Sequence, residues 1–204
     1  MLVLHYTGMR SGAEALARLC DPAAQVSAHY LVEEDGTVFR LVPEHRRARH
    51  AGVSHWRGRE GLNACSIGIE VVNPGHQWGY RPFPALQMGA LAELCLDILA
   101  RHPIPPRHVL AHSDVAPDRK RDPGELFDWQ GLAALGIGLW PAPAAPPPEE
   151  ETTTLLGRIG YRTDLPRATL VTAFQRHWRP ERVDGLADAE TRARMAGLLA
   201  LMEA

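Results

Sequence analysis

Apolar positions in the first 140 residues fall into short period-two runs separated by stretches of helical period. Runs at 2–6, 28–32, 38–41, 67–72 and 109–111 are predicted strands. Asp35-Gly36 supplies a hairpin turn between the second and third. Helical patterning covers about 13–20 and 84–101. In the longer stretch Met88, Leu91, Leu94, Cys95 and Ile98 form one apolar stripe, and Pro103 stops it. Strands interleaved with helices predict an α/β fold, with a central β-sheet flanked by helices. The hairpin makes that sheet mixed.

The pattern breaks at Pro141-Ala142-Pro143-Ala144-Ala145-Pro146-Pro147-Pro148, which runs into three glutamates and three threonines. Residues 141–154 therefore read as an extended linker outside any core. They separate an expected large N-terminal domain, 1–140, from a small C-terminal three-helix domain, 155–204. There Leu170, Val171, Phe174 and Trp178 share one face, Thr191, Met195, Leu198, Leu199 and Met202 another, and Asp188 is placed to N-cap the last helix. On this reading residues 1–140 fold and act alone.

Composition adds exclusions. With 45% hydrophobic and 23% charged residues the chain is an ordinary globular sequence. A net charge of −2 leaves no basic surplus for nucleic acid. No apolar run spans a bilayer. No signal peptide is visible, which gives a cytoplasmic expectation, or a periplasmic one if the native start lies upstream. Cys20, Cys65 and Cys95 contain no C-x-x-C pair, so neither a disulfide framework nor a thiolate metal site is expected. Cys20 and Cys95 are expected to be buried.

The candidate chemistry centres on the loop from His112 to Gly124, directly after the run 109–111. It holds a histidine, the Lys120 ammonium and the Asp122 carboxylate. His5 lies inside the first strand, facing away from Leu2 and Leu4. A lone strand histidine is ordinarily a satisfied core or edge residue, and a loop of mixed charge is ordinarily solvated, as Arg119 and Arg121 are expected to be. Two imidazoles and a carboxylate together suffice for a catalytic zinc with one open position. Glu70 stands in the apolar run Ile67-Gly68-Ile69-Glu70-Val71 beside Gly68, which leaves room for a close approach. It reads either as a structural partner of an arginine or as a general acid or base. We favour the second.

His29, His50 and His55 are secondary candidates, and His50 is placed to line a cleft with Trp56 and Arg57. Trp56, Trp78 and Tyr80 are candidate wall residues for a sugar or peptide. His45, His76, His102, His108 and His177 are expected at the surface.

The ordered set Leu4-His5-Tyr6-Thr7, Val26 to Tyr30, Ala51-Gly52-Val53-Ser54, Ser66 to Glu70, Asn73-Pro74-Gly75 and His112-Ser113-Asp114…Lys120…Asp122-Pro123-Gly124 resembles the zinc-dependent N-acetylmuramoyl-L-alanine amidases, the type-2 amidases related to peptidoglycan recognition proteins. The resemblance implies zinc held by His5, His112 and Asp122, Glu70 as acid/base, and Lys120 stabilising an oxyanion. It also implies a peptidoglycan or muropeptide partner, with His50, Trp56, Arg57 and Asn73 as substrate contacts. The implied reaction cleaves the amide between N-acetylmuramic acid, or its 1,6-anhydro form, and L-alanine. Residues 173–176 and 183–186 resemble a peptidoglycan-binding three-helix module. A non-catalytic peptidoglycan-binding protein is the alternative; a generic zinc peptidase is disfavoured because H-E-x-x-H is absent.

Overall fold

The computed structural model describes residues 1–203; residue 204, the last of the expected C-terminal domain, lies outside the described residues. In chain order the elements are β1 (Leu2–Tyr6), α1 (Gly12–Cys20), β2 (Tyr30–Val32), β3 (Val38–Arg40), β4 (His55–Trp56), β5 (Arg59–Glu60), β6 (Ile67–Val71), α2 (Gly75–Trp78), α3 (Ala85–Arg101), β7 (Val109–Ala111), α4 (His112–Val115), α5 (Trp129–Ala134), α6 (Thr152–Ile159), α7 (Arg167–Trp178) and α8 (Ala189–Glu203). Five strands form one sheet in the order β3-β2-β6-β1-β7, and β4 and β5 form a separate ribbon. Within the five-stranded sheet the β2–β3 hairpin is antiparallel and the other pairings are parallel, which makes it mixed as the Asp35-Gly36 signal predicts.

Alternation along β1 and β6 sorts side chains to two faces. Leu2, Leu4, Ile67, Ile69 and Val71 pack against the Leu91, Cys95 and Ile98 stripe of α3. Gln87 ties the start of α3 to the sheet by donating to the carbonyls of Val32 and Val72. On the opposite face Leu31 and Val72 bury Ala15 of α1. There Val3 and Leu110 join a core shared with Leu156, Leu170, Phe174, Trp178 and Leu198 of the C-terminal helices.

Through that shared core the helices beyond the Pro-rich segment pack against the first 140 residues. Helix α6 begins at Thr152, inside the expected linker, and Thr152 is fully buried. The Pro-rich segment runs extended against α8, where the Ala144 amide donates to the Ala193 carbonyl. Gly197 is required at this crossing because a Cβ there would meet the Ala142 carbonyl oxygen at 2.0 Å. Extended proline-rich chain can thus lie along a helix when small residues face it.

Within the helical unit Asp188 caps α8, accepting from the Thr191 amide at 2.9 Å. Buried Gln175 accepts from the amides of Asp184 and Gly185, and donates to the Leu186 carbonyl. The sequence motif 183–186 is therefore a turn folded around a glutamine. Cys95 is buried, whereas Cys20, on the last residue of the amphipathic α1, is exposed, contrary to expectation. Among the described residues no helix is long and apolar enough to cross a membrane.

Candidate active site and metal centre

The adjacent central strands β1 and β6 place His5 directly across from Glu70. The chain leaving β7 turns at once into α4, which begins with His112. Asp122 returns to the same point, held by the Ser113 amide donating to its carbonyl at 2.9 Å. Tyr80 fixes the next residues: its hydroxyl donates to the Pro123 carbonyl and accepts from the Leu126 amide. Gly124, at φ +87°, lets the loop pass this hydroxyl, which a Cβ would meet at 2.3 Å.

The outcome is a buried triangle. His5 Nδ1 and His112 Nδ1 are 2.8 Å apart, and Asp122 Oδ2 lies 3.0 and 2.9 Å from them. The surrounding hydrogen bonds fix what these atoms carry. Ser66 spends its single hydroxyl hydrogen on the Leu62 carbonyl at 2.6 Å, so its oxygen accepts from His50 Nε2–H at 3.2 Å. The Nδ1 of neutral His50 then accepts from His5 Nε2–H at 2.9 Å, leaving His5 Nδ1 with a lone pair. His112 Nε2–H donates to the Ala51 carbonyl at 3.2 Å, so in the neutral ring its Nδ1 is bare as well.

Electrostatics agree. Burial, reinforced by His112, pulls His5 down to about 4. Burial, reinforced by His5, holds His50 well below the usual histidine range. Two imidazole lone pairs and a carboxylate oxygen meeting at under about 3 Å repel one another unless a cation sits among them. The donor set therefore fits zinc, with each histidine braced from behind in the way metal-bound histidines are.

A cleft of about 690 Å³ opens over the triangle, lined among others by Tyr6, His50, Glu70, His76 and Lys120. Glu70 Oε2 is buried without a hydrogen-bond partner among the described residues. Burial first, then the charge of Asp122, pushes its carboxyl well above the ordinary range, with Lys120 pulling the other way. No arginine partners it among the described residues, which removes the structural reading. Arg119 and Arg121 are exposed as expected, at the cleft rim.

Several expectations are corrected. Trp56 is fully buried, edge-on to Tyr161 with ring centroids 5.1 Å apart, because the β4–β5 ribbon turns its largest apolar ring into the shared core. Arg57 donates to the carbonyls of Arg158 and Ile159 and so caps α6. Asn73 is buried and shapes its own loop, accepting from the Gly75 amide and donating to the Arg81 carbonyl. None of these three lines the cleft. His29 has both ring nitrogens occupied, accepting from the Gly68 amide and donating to the Arg46 carbonyl. His55 stays in the β4–β5 ribbon.

Of the histidines expected at the surface only His45 is exposed; His76 lines the cleft, His102 pairs with Glu44, His108 is half-buried and His177 is fully buried. The signal for His177 was present, since it falls on the 170, 174, 177 stripe. The Ser66–His50 chain left a fainter one. The room beside Gly68 is filled by the His50 ring, which a Cβ would meet at 2.3 Å.

A mixed sheet at whose end two histidines and an aspartate converge, beside a half-buried glutamate, defines a candidate metal site of the kind hydrolases use. Residues 1–125 match the family of N-acetylmuramoyl-L-alanine amidases, and the chain belongs to it. It is similar to the N-acetylmuramoyl-L-alanine amidase AmiD of Escherichia coli, with 42% identity over 98% of this chain and 82% of that one. A solved complex of that enzyme with the substrate anhydro-N-acetylmuramic acid-L-Ala-D-gamma-Glu-L-Lys superposes with a TM-score of 0.89, covering 98% of this chain and 88% of the other at 41% identity. AmpDh3 of Pseudomonas aeruginosa gives a TM-score of 0.91 at 35% identity over all of this chain and 92% of its own. The 1,6-anhydro-N-acetylmuramyl-L-alanine amidase AmpD of Salmonella typhimurium is 40% identical over 54% of this chain and 57% of its own.

Proposed function

We propose that this chain hydrolyses the amide between N-acetylmuramic acid, or its 1,6-anhydro form, and the L-alanine of a stem peptide, using zinc held by His5, His112 and Asp122. The observation that carries the proposal is the triangle of three hydrogen-free donor atoms beside Glu70 and Lys120. Bound there, zinc would supply Lewis acidity for the carbonyl and lower the pKa of water toward ~7. Glu70 takes the proton of the attacking water and returns it to the departing amine of L-alanine. Its raised pKa suits both transfers near neutrality better than an ordinary carboxyl. Lys120 has no hydrogen-bond or ion-pair partner through its ammonium among the described residues, and donates to the oxyanion as the carbonyl becomes tetrahedral. His50 and Ser66 hold His5 in the tautomer with a bare Nδ1.

The C-terminal helices are proposed to hold glycan or peptide beside the cleft, on the resemblance of residues 173–176 and 183–186 to wall-binding modules. Co-sedimentation of Glu70→Gln with insoluble peptidoglycan checks this. The central test is product analysis by mass spectrometry. The protein is expected to release free L-alanyl peptide from anhydro-N-acetylmuramyl peptide, and His112→Ala to lose both turnover and stoichiometric zinc. Retention of stoichiometric zinc by His112→Ala would reject the ligand set. Wall binding by the wild type without any turnover would favour the non-catalytic reading.

A further inference from the structure

Asp114, two residues after His112, is buried at the junction of α4 with the C-terminal helices and takes three hydrogen bonds. The Ala111 amide donates to Oδ2 at 2.8 Å, within the turn itself. The other two donors come from beyond residue 150: the Tyr161 hydroxyl at 2.7 Å on Oδ1 and His177 Nδ1–H at 2.6 Å on Oδ2. The His177 ring is clamped between Trp129 and Trp178, with centroids 3.8 and 3.7 Å away and planes 27° and 7° from parallel. Its Nε2 has no partner among the described residues, so the neutral ring carries its hydrogen on the nitrogen that faces Asp114. The preceding residue, Arg176, reaches the other side of the loop, 3.6 Å from Glu125, three residues past Asp122.

We propose that Tyr161 and His177 are positioning residues for the metal centre: by holding Asp114 they fix the α4 turn that presents His112. The C-terminal helices then have a role beyond retaining wall material, because they complete the support of one ligand. The physical reason is the economy of a short helix. Four residues make little internal structure of their own, so the orientation of α4 is set by what grips it. Its grip is a carboxylate bonded to two side chains whose own positions are fixed by packing in another part of the chain. Loss of a partner bonded to a metal ligand itself commonly costs ~10–100-fold in metal affinity, and residues that act through the turn, as these do, are expected at the low end of that range.

This inference rests on the zinc reading of His5, His112 and Asp122. The test compares full-length wild type, Tyr161→Phe, His177→Phe and His177→Asn for zinc affinity by chelator competition, with the cobalt absorption spectrum and thermal melts alongside. Phe at 177 keeps the aromatic stack and removes the donor, whereas Asn keeps a donor near the position of Nδ1 and loses the stack. Tyr161→Phe and His177→Phe are expected to weaken zinc about tenfold or more and to alter the cobalt spectrum. His177→Asn is expected to keep near-wild-type affinity even if it melts lower.

Unchanged zinc affinity in both Phe variants would overturn the proposal and leave Asp114 as domain glue. Equal loss in His177→Asn and His177→Phe would overturn the hydrogen-bond route in favour of stacking. Should His177→Phe fail to fold, Tyr161→Phe, which removes a single oxygen, decides. Absence of zinc binding by wild type would instead overturn the metal reading, and this inference with it.

Discussion

His5 Nε2 and His50 Nδ1 lie 2.9 Å apart, and the hydrogen between them belongs to His5. That assignment follows from a chain starting at the Leu62 carbonyl and passing through Ser66, and it leaves His5 Nδ1 free to bind a cation. Replacing His50 with Phe removes the acceptor while keeping a ring in the space beside Gly68. Zinc affinity measured by competition is expected to fall ~10–100-fold. Ser66→Ala, one step further out, is expected to produce a smaller loss. Full affinity in His50→Phe would show that His5 chooses its tautomer unaided.

Glu70→Gln preserves shape and removes the proton acceptor. Turnover on a soluble muropeptide is expected to drop ~10²–10⁴-fold with zinc stoichiometry unchanged. Near-wild-type rates would mean that the orphaned Oε2 is no more than an unpaired buried atom.

Cutting the chain within residues 141–148 exposes the face on which Val3, Leu110 and Val115 meet Leu156, Leu170 and Phe174. Residues 1–140 are expected to fold without the helices, at a stability lowered by the loss of this contact. The fragment is expected to melt roughly 10 °C or more below the full chain, the scale of a loss of a few kcal/mol, and to bind a hydrophobic dye. An unchanged melt without dye binding would show that the shared core contributes nothing to residues 1–140.

Away from the cleft, Glu44 is held down to about 2, chiefly by its hydrogen bond to Arg101, with burial opposing and Tyr30 and His102 assisting. A carboxyl depressed on folding stabilises the native state fully above its ordinary value of 4.5, and that contribution fades as the pH falls toward 2. Glu44→Gln is expected to cost about 1 kcal/mol at pH 7 and progressively less below pH 4, since Arg101 is partly exposed and screened. Urea midpoints at pH 7, 4 and 2.5 check this. A cost independent of pH would place the effect in packing.

Local pattern determined much of this protein. Period-two runs locate β1, β3, β6 and β7 to within a residue, and period 3.6 locates α3, because each element must bury one face whatever surrounds it. The donor types were equally legible: His5, Glu70, His112, Lys120 and Asp122 are unusual residues for their apolar strands or for a Pro-punctuated turn. Tertiary structure alone decided which of ten histidines do what. His50 stands behind His5 only because β6 offers a glycine at 68, and His177 grips Asp114 only because α7 docks on α4. Trp56 lies away from the cleft for the same reason, since the β4–β5 ribbon docks where its ring is buried against Tyr161. Contacts between residues about 45 to 120 positions apart, such as His5 with His50 and with Asp122, leave no period in a sequence. They are set when separately formed elements pack, and the site exists only once they have.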